Sequence, residues 1–247
     1  MAYNKSNSSL KLNPYIDTYW KFDNLANRTI KSLIIPDGCV DIVFSWKQGN
    51  NKNLAILAVG EMTYAKNIAI ASQQNFRGIR FKPGAAAAFL KMPMNEITNQ
   101  MIDLENISNK LFKELQIIWK KSLESKKQAK NISEILMANF SEVYIDPVVN
   151  YMVDKIIQTQ GQIELANIIT KTGYSERQIQ RKFKNIVGIS PKVFIRIIRF
   201  KNIYQRLKGN KDNYARLAVT AGYFDQAHFN HEYKKFIGTS PSANYRS

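Results

Sequence analysis

A single cysteine, Cys39, and two histidines, His228 and His231, are all that this 247-residue chain offers to thiol or imidazole chemistry. One cysteine cannot close an internal disulfide or build a Cys-rich metal cluster. Two histidines leave almost no material for a histidine zinc site or a Ser-His triad. No C-x-x-C, H-E-x-x-H or Gly-rich phosphate loop occurs. No apolar run approaches the ~18 residues of a membrane span, and the opening stretch MAYNKSNSSLKLNPY lacks an apolar signal core. The expectation is a cytoplasmic protein with no metal or other cofactor, no membrane association and no enzymatic activity. Acid is scarce too: 19 Asp and Glu stand against 36 Lys and Arg, a net charge of +17. That balance points to a polyanionic partner, for which nucleic acid and an anionic membrane both qualify. A Lys-rich habit, visible in the surface-like stretch KKSLESKKQAKN, accounts for part of it.

With 45% hydrophobic and 11% aromatic residues the chain has the composition of a globular protein, and its length suits two modest domains. The first half reads as strands followed by helices. Pro36-Asp37-Gly38 is a turn signal ahead of CVDIVFSW; LAILAVGEMTY, NIAIAS and FRGIRF are further strand-like runs. Together they predict a small antiparallel sheet or barrel. After Pro83-Gly84, AAAAFLKM predicts a short helix, and Ile107, Leu111, Leu115, Ile118 and Trp119 have helical spacing; NISEILMANF adds another helix. Asp146-Pro147 supplies an N-cap and a first helical position, dividing the chain into an α+β domain over 1–145 and an all-α domain over 146–247. The second carries 17 Lys and Arg against 7 Asp and Glu, so +10 of the total +17 lies in fewer than half the residues.

Within that second domain one pattern is spelled twice. GYSERQIQRKFKNIVGISP begins at Gly173, and GYFDQAHFNHEYKKFIGTSP begins at Gly222. QIELANIIT reads as a short helix ended by Thr172-Gly173, after which Ser175 and Gln178 form a capping-box pattern that starts a second helix. Helix, short Gly turn, helix is a helix-turn-helix unit. Ile179, Phe183 and Val187 recur at i, i+4 and i+8, the stripe that faces a core. Arg177, Gln180, Arg181 and Lys184 line the opposite face, where Glu176, in the first turn, is the one acid between 175 and 187. Arg suits guanine O6 and N7, and Gln suits adenine N6 and N7. In the second copy NYARLAVTAGY supplies helix and turn, Asp225 the N-cap, and Phe229, Tyr233 and Phe236 the stripe. Gln226, Ala227, Asn230, His231 and Lys234 form its exposed face. Tyr174 with Tyr223, Phe183 with Tyr233, and the two Ser-Pro pairs look like shared scaffold, while the letters between them differ. Joining the copies, PKVFIRIIRFKNIYQRLKG predicts a helix closing at Gly209, ~25 Å long at ~1.5 Å per residue. That length suits two reading helices entering successive major grooves, ~34 Å apart.

These residues together resemble the DNA-binding domain of the AraC/XylS family of bacterial transcription regulators. The match runs through GYSERQIQRKFKNIVGISPKVFIRIIRF and ARLAVTAGYFDQAHFNHEYKKFIGTSPSANYR. The resemblance implies a single-chain bipartite reader of double-stranded DNA, with Arg177, Gln178, Gln180 and Arg181 from the first unit and Gln226, Ala227, Asn230 and His231 from the second at base edges. It puts Ser175, Lys182, Lys184, Lys234 and Lys235 at phosphates, and His228 in a packing or capping role. The first half is similar to a domain that precedes such units, through IIPDGCVDIVF, GIRFKPGAAAAFL and MIDLENI, and implies a sensor that gates DNA binding. The further partners are RNA polymerase where the protein activates, a small-molecule effector and, left open, a second copy of the chain.

Two alternatives keep the same reader but shift the weight. In one, a small-molecule or peptide sensor binds ligand in an apolar pocket lined by Trp20, Phe22, Trp46, Tyr64, Phe76 and Phe81. In the other, Cys39 senses oxidants or alkylating agents, although its place in a strand-like run favours burial.

Overall fold

The turn Pro36-Asp37-Gly38 and the apolar run that follows it organise the first half of the computed structural model, which describes residues 4–6, 11–121, 125–207 and 214–245. Gly38 takes a left-handed φ of 86°, and the Cys39 amide donates to Asp37 Oδ1 at 3.2 Å, so the turn is locked locally. The strand it launches is β4 (Asp41–Lys47), buried on both faces over its first four residues, which places it inside the sheet. Around it lie β1 (Asn4–Ser6), β2 (Ile16–Asp23), β5 (Asn50–Val59), β7 (Gln74–Phe81) and β8 (Met101–Asp103), in the order β1-β2-β7-β4-β5-β8, with each described pairing antiparallel. A separate antiparallel ribbon joins β3 (Ile30–Ile34) to β6 (Lys66–Ile70).

Helices cover the sheet. The alanines of α1 (Ala87–Leu90) are buried at the base of an aromatic cluster in which Phe89 meets Phe81 at 5.1 Å and Phe140 at 5.4 Å. Beyond the short α2 (Leu104–Ile107), α3 (Asn109–Lys121) and α4 (Ser125–Asn139) pack together, and Trp119 of α3 stacks on Phe44 of β4 at 4.7 Å. An α+β first half with an open antiparallel sheet is thus the observed architecture.

The second half is helical throughout its described residues: α5 (Pro147–Gln158), α6 (Leu165–Ile169), α7 (Glu176–Val187), α8 (Pro191–Leu207), α9 (Tyr214–Thr220), α10 (Gln226–Ile237) and α11 (Pro241–Tyr245). Asp146 caps α5 by accepting from the Val148 and Val149 amides, with Pro147 in the first turn. The expected stop of α8 at Gly209 lies outside the described residues. A second core gathers Phe183, Phe194, Phe200, Phe229, Tyr233 and Phe236. α8 runs through it, meeting Phe183 of α7 through Phe194 at 5.6 Å and Phe236 of α10 through Phe200 at 4.7 Å.

The two halves share a seam. Thr98 Oγ1 donates to the Gly188 carbonyl at 2.7 Å, Lys201 Nζ donates to the Asp37 carbonyl at 3.2 Å, and the Ala65 amide donates to the Phe236 carbonyl at 2.6 Å. The first half therefore touches the ends of α7 and α10 as well as α8.

Where α5 turns back toward α8 the chain passes Gly161, at φ 74°, and a Cβ there would stand 2.5 Å from the Ile195 carbonyl oxygen and 2.7 Å from the Arg199 nitrogen. The Gly161 carbonyl accepts from Arg199 Nε at 3.0 Å and Nη2 at 2.8 Å. Gly161→Ala is expected to destabilise by ~1–3 kcal/mol, from the positive φ together with a backbone collision. Gly49→Ala, at φ 76° with nothing within 4 Å of the added carbon, carries only the conformational part. Urea unfolding of the two variants measures the difference, and equal losses would contradict the close approach.

Candidate DNA interface

In the first helix-turn-helix unit, the reciprocal cap expected from Ser175 and Gln178 is formed. The Gln178 amide donates to Ser175 Oγ at 3.4 Å, and Gln178 Oε1 accepts from the Ser175 amide at 3.0 Å. With the first turn held, the i, i+4, i+8 spacing buries Ile179, Phe183 and Val187. Arg177, Gln180, Arg181 and Lys184 are then exposed on the opposite side. Gln180 Nε2 donates to Glu176 Oε1 at 3.0 Å, and Gln178 spends its carbonyl on the cap. Arg177, Arg181 and Lys184 are left as the cations of that open face. Lys182 is placed differently from its neighbours. Its ammonium sits 2.6 Å from Asp146 Oδ2 and 5.0 Å from the Tyr174 ring centroid, so it ties α7 to the cap of α5. Burial acts to raise the Asp146 carboxyl, but the Lys182 hydrogen bond and the Val149 and Val148 amides outweigh it and hold the group below its ordinary range.

The second unit repeats the geometry with other atoms. Asp225 accepts from the His228 amide at 2.7 Å, and His228 Nδ1 faces the Phe224 amide at 3.5 Å. His228 therefore plays the part that Gln178 plays in the first unit, and its ring packs edge-on against Tyr223 at 5.3 Å. Phe229, Tyr233 and Phe236 are buried; Gln226, Ala227, His231, Lys234 and Lys235 are exposed, and Asn230 is half-buried. The sequence reading does not anticipate Glu232, which is buried on α10 and pairs with Arg196 Nε of α8. A lone acid in a basic helix three residues after a core aromatic was its visible signal. Between the units a groove of about 780 Å³ has Lys192, Arg196, His231 and Lys235 among its walls.

Counting from the caps alters how the two copies correspond. One residue lies between Gly173 and its N-cap Ser175, and two lie between Gly222 and Asp225. Tyr174 is 38% exposed, whereas Tyr223 is buried at 3%. Measured from the cap, the counterpart of Tyr174 is Phe224, not Tyr223.

The chain matches a helix-turn-helix domain family over residues 168–247 and a family described as a domain of unknown function over residues 5–103. It is 26% identical over 97 residues to the HTH-type transcriptional regulator MtrA of Neisseria gonorrhoeae, a stretch covering 39% of this chain and 32% of that protein. With the probable transcription factor PqrA of Proteus vulgaris it shares 24% identity over 102 residues, 41% of this chain and 83% of that protein. The C-terminal part of the chain thus matches a helix-turn-helix domain. The chain matches about a third of the length of MtrA and most of PqrA. Among solved structures, an apo point variant of ToxT from Vibrio cholerae aligns over 92% of this chain and 96% of its own, at 12% identity and a TM-score of 0.44. ToxT bound to (E)-4-(8-methylnaphthalen-1-yl)but-3-enoic acid aligns over 99% and 98%, at 14% identity and a TM-score of 0.42.

The six aromatics expected to line a pocket are dispersed around the sheet domain that precedes the helix-turn-helix domain. Phe81 is fully buried in the core, and the indole of Trp20 lies across Gly78 while its Nε1 donates to Asp41 Oδ1 at 2.9 Å. Trp46 packs edge-on against Trp119 at 4.7 Å, Phe22 pairs with Phe76 at 6.3 Å, and Tyr64 is 49% exposed. A cavity of about 710 Å³ opens instead where the sheet domain meets the helical domain, with Tyr15, Asp37, Cys39, Asn150, Ile198 and Lys201 among its walls. None of the six aromatics lines it.

Beside this cavity lies a charge cluster at the seam. Arg80 binds Asp41 through Nε at 3.1 Å and Nη2 at 2.8 Å, and reaches Asp37 Oδ2 through Nη1 at 2.5 Å. Glu61, 1% exposed, accepts from the Gly38 amide at 3.1 Å through Oε1, while no partner among the described residues meets Oε2. Burial, and then the charge on Asp37, push the Glu61 carboxyl well above the ordinary value of 4.5. The same two causes push the Cys39 thiol upward, so burial suppresses the thiolate that a sensing cysteine needs.

A carboxyl raised on folding contributes stability that is full below its unfolded value of 4.5 and is lost as pH rises toward the folded value. Glu61→Gln keeps a neutral group and the acceptor for Gly38. The wild-type chain should therefore lose stability relative to this variant above pH 4.5, at up to ~1.4 kcal/mol per pH unit, and converge with it below. Unfolding midpoints of both proteins between pH 4 and 8 decide; parallel curves would place a charged Glu61 in the folded state.

Proposed function

We propose that the chain is a sequence-specific DNA-binding transcription regulator in which α7 and α10 read two successive major grooves. The carrying observation is the pair of capped helices, each with one face sunk in a shared core and the other open and poor in acid. Arg177, Gln180 and Arg181 reach base edges from α7, and Gln226, Ala227, Asn230 and His231 do so from α10. Lys184, Lys234 and Lys235 meet phosphates. Ser175 does so through its end of α7, where unsatisfied amides favour an anion. The groove between the units, with Lys192 and Arg196 beside His231, gives the intervening backbone a basic wall. Gln178 and Lys182 contribute mainly by holding α7 in place, through the cap and through Asp146.

The sheet domain gates this reader through the seam. What supports gating is its contact with the ends of both reading helices and with α8, so displacement at Asp37, Ala65 or Thr98 changes how the two faces are held. The cavity at the same seam provides a place where a small molecule would bias that equilibrium by binding one arrangement better. RNA polymerase is the further partner where the regulator activates.

Arg181→Ala is expected to cost ~1–3 kcal/mol on the selected site and to relax specificity there, whereas Lys184→Ala weakens all DNA about equally and lowers the salt slope by ~1. Binding titrations of both variants on the site and on random DNA, over a range of salt, check this. Equal losses of both variants on both DNAs would remove the division of roles.

A further inference from the structure

Phe224 is 88% exposed, the same figure as Val143 and above that of every other large hydrophobic described as exposed. A single exposed apolar side chain is ordinary on a protein surface, so its meaning rests on where the fold puts it. Phe224 is the residue before the N-cap of α10, and the N-terminal end of a reading helix is the part that reaches base edges. The backbone on either side is fixed. Tyr223 is buried, its ring 5.3 Å from Phe229 and under the Arg199 guanidinium at 5.7 Å, and Asp225 is held by its cap to the His228 amide. With Tyr223 drawn inward, the extra residue of the second turn is driven outward. The corresponding residue of the first unit, Tyr174, is covered by the Lys182 ammonium at 5.0 Å and is 38% exposed. Among the described residues no cation covers Phe224 in this way. Ala227, in the first turn of α10, is exposed as well, so two apolar side chains stand near the start of that helix among otherwise polar exposed residues.

We infer that Phe224 and Ala227 form a thymine reader: the Phe224 ring contacts the 5-methyl group of a thymine in the major groove entered by α10, beside the bases met by Gln226 and Asn230. Phe and Ala are side chains that recognise this methyl by apolar contact. The inference rests on the regulator reading above and gives its second unit a specificity determinant that hydrogen bonding does not supply.

Selection from a random DNA pool first defines the site of the wild-type chain. Each thymine in it is then replaced in turn by deoxyuridine, which lacks only the 5-methyl, and the wild type, Phe224→Ala and Phe224→Leu are titrated on every version. At one or two positions uracil should weaken the wild type about fourfold, the worth of one methyl removed from water. Phe224→Ala should bind the thymine site about tenfold more weakly and no longer distinguish thymine from uracil there, while Phe224→Leu retains part of the discrimination. Because the ring is 88% exposed, the variants should match the wild type in unfolding midpoint and in affinity for random DNA. Phe224→Ala binding the selected site like the wild type, or uracil costing the variant and the wild type equally, overturns the thymine contact. A wild-type chain that enriches no sequence overturns the regulator reading itself, a failure seen before any variant is made.

Discussion

One helix has to serve both helix-turn-helix units. α8 buries Phe194 against Phe183 on one side and Phe200 against Tyr233 and Phe236 on the other, with ring centroids 4.7–5.7 Å apart. Interiors packed at this density transmit displacement instead of absorbing it, so the separation and relative rotation of α7 and α10 are set by the spacing of aromatics along α8. The Arg196–Glu232 pair adds a polar stitch between α8 and α10. Removing one partner of such a pair would leave a buried charge without compensation. The sheet domain presses on the same helix: a Cβ on Gly38 would come within 2.8 Å of Phe194, and Lys201 holds the Asp37 carbonyl. A change on the sheet side of α8 is thereby felt where the two reading faces are aligned.

The excess of basic residues divides by task. Arg196, Arg199 and Arg206 of α8 bond to Glu232, the Gly161 carbonyl and Gln160, and Lys182 is paired with Asp146. These cations brace the domain. Four of the domain's seven acids are placed in a complementary way: Asp146, Glu176 and Asp225 sit at helix starts, where the dipole favours them, and Glu232 is buried. The acids of α7 and α10 and of their caps are thereby taken up in capping and packing, which leaves the open faces of those helices mostly cationic or neutral. Net charge overstates the number of residues free to meet phosphate, and the partner of each cation has to be known before a salt slope can be assigned to it.

Local signals survived folding where the physics is local. Asp146-Pro147 and the Ser175/Gln178 cap were legible because a cap is decided by side chains within three residues of the amides they satisfy. The stripe Ile179, Phe183, Val187 was legible because helical periodicity fixes a face. The strands β2 and β3 were not, since YIDTYWKFD and RTIKSLI interleave charge with apolar residues and gain their definition from partners 32 to 65 residues away. Strand alternation likewise told which aromatics share a face but not what that face meets. Trp46 is occupied by Trp119 and Trp20 by Gly78 and Asp41, while the cavity formed at a seam between distant segments.

The repeat teaches the finer point. Aligned by its Gly-Tyr letters, the second unit appears to copy the first, and Tyr223 appears to match Tyr174. Aligned by the atoms that cap the helices, it is one residue longer, and that residue falls in the turn just before α10. A helix interior would have rotated every later side chain by ~100° on such an insertion, at ~3.6 residues per turn, and destroyed the apolar stripe. Placed ahead of the cap, it leaves Phe229, Tyr233 and Phe236 in register with the core and changes only what projects from the turn. The two units can therefore share a scaffold and still present unlike chemistry at the start of their reading helices. In the first, Tyr174 is drawn back beneath Lys182; in the second, Phe224 stands clear. On the function proposed above, two unlike units held by α8 make the molecule polar along DNA, so the order of the two half-sites sets the direction in which the sheet domain faces.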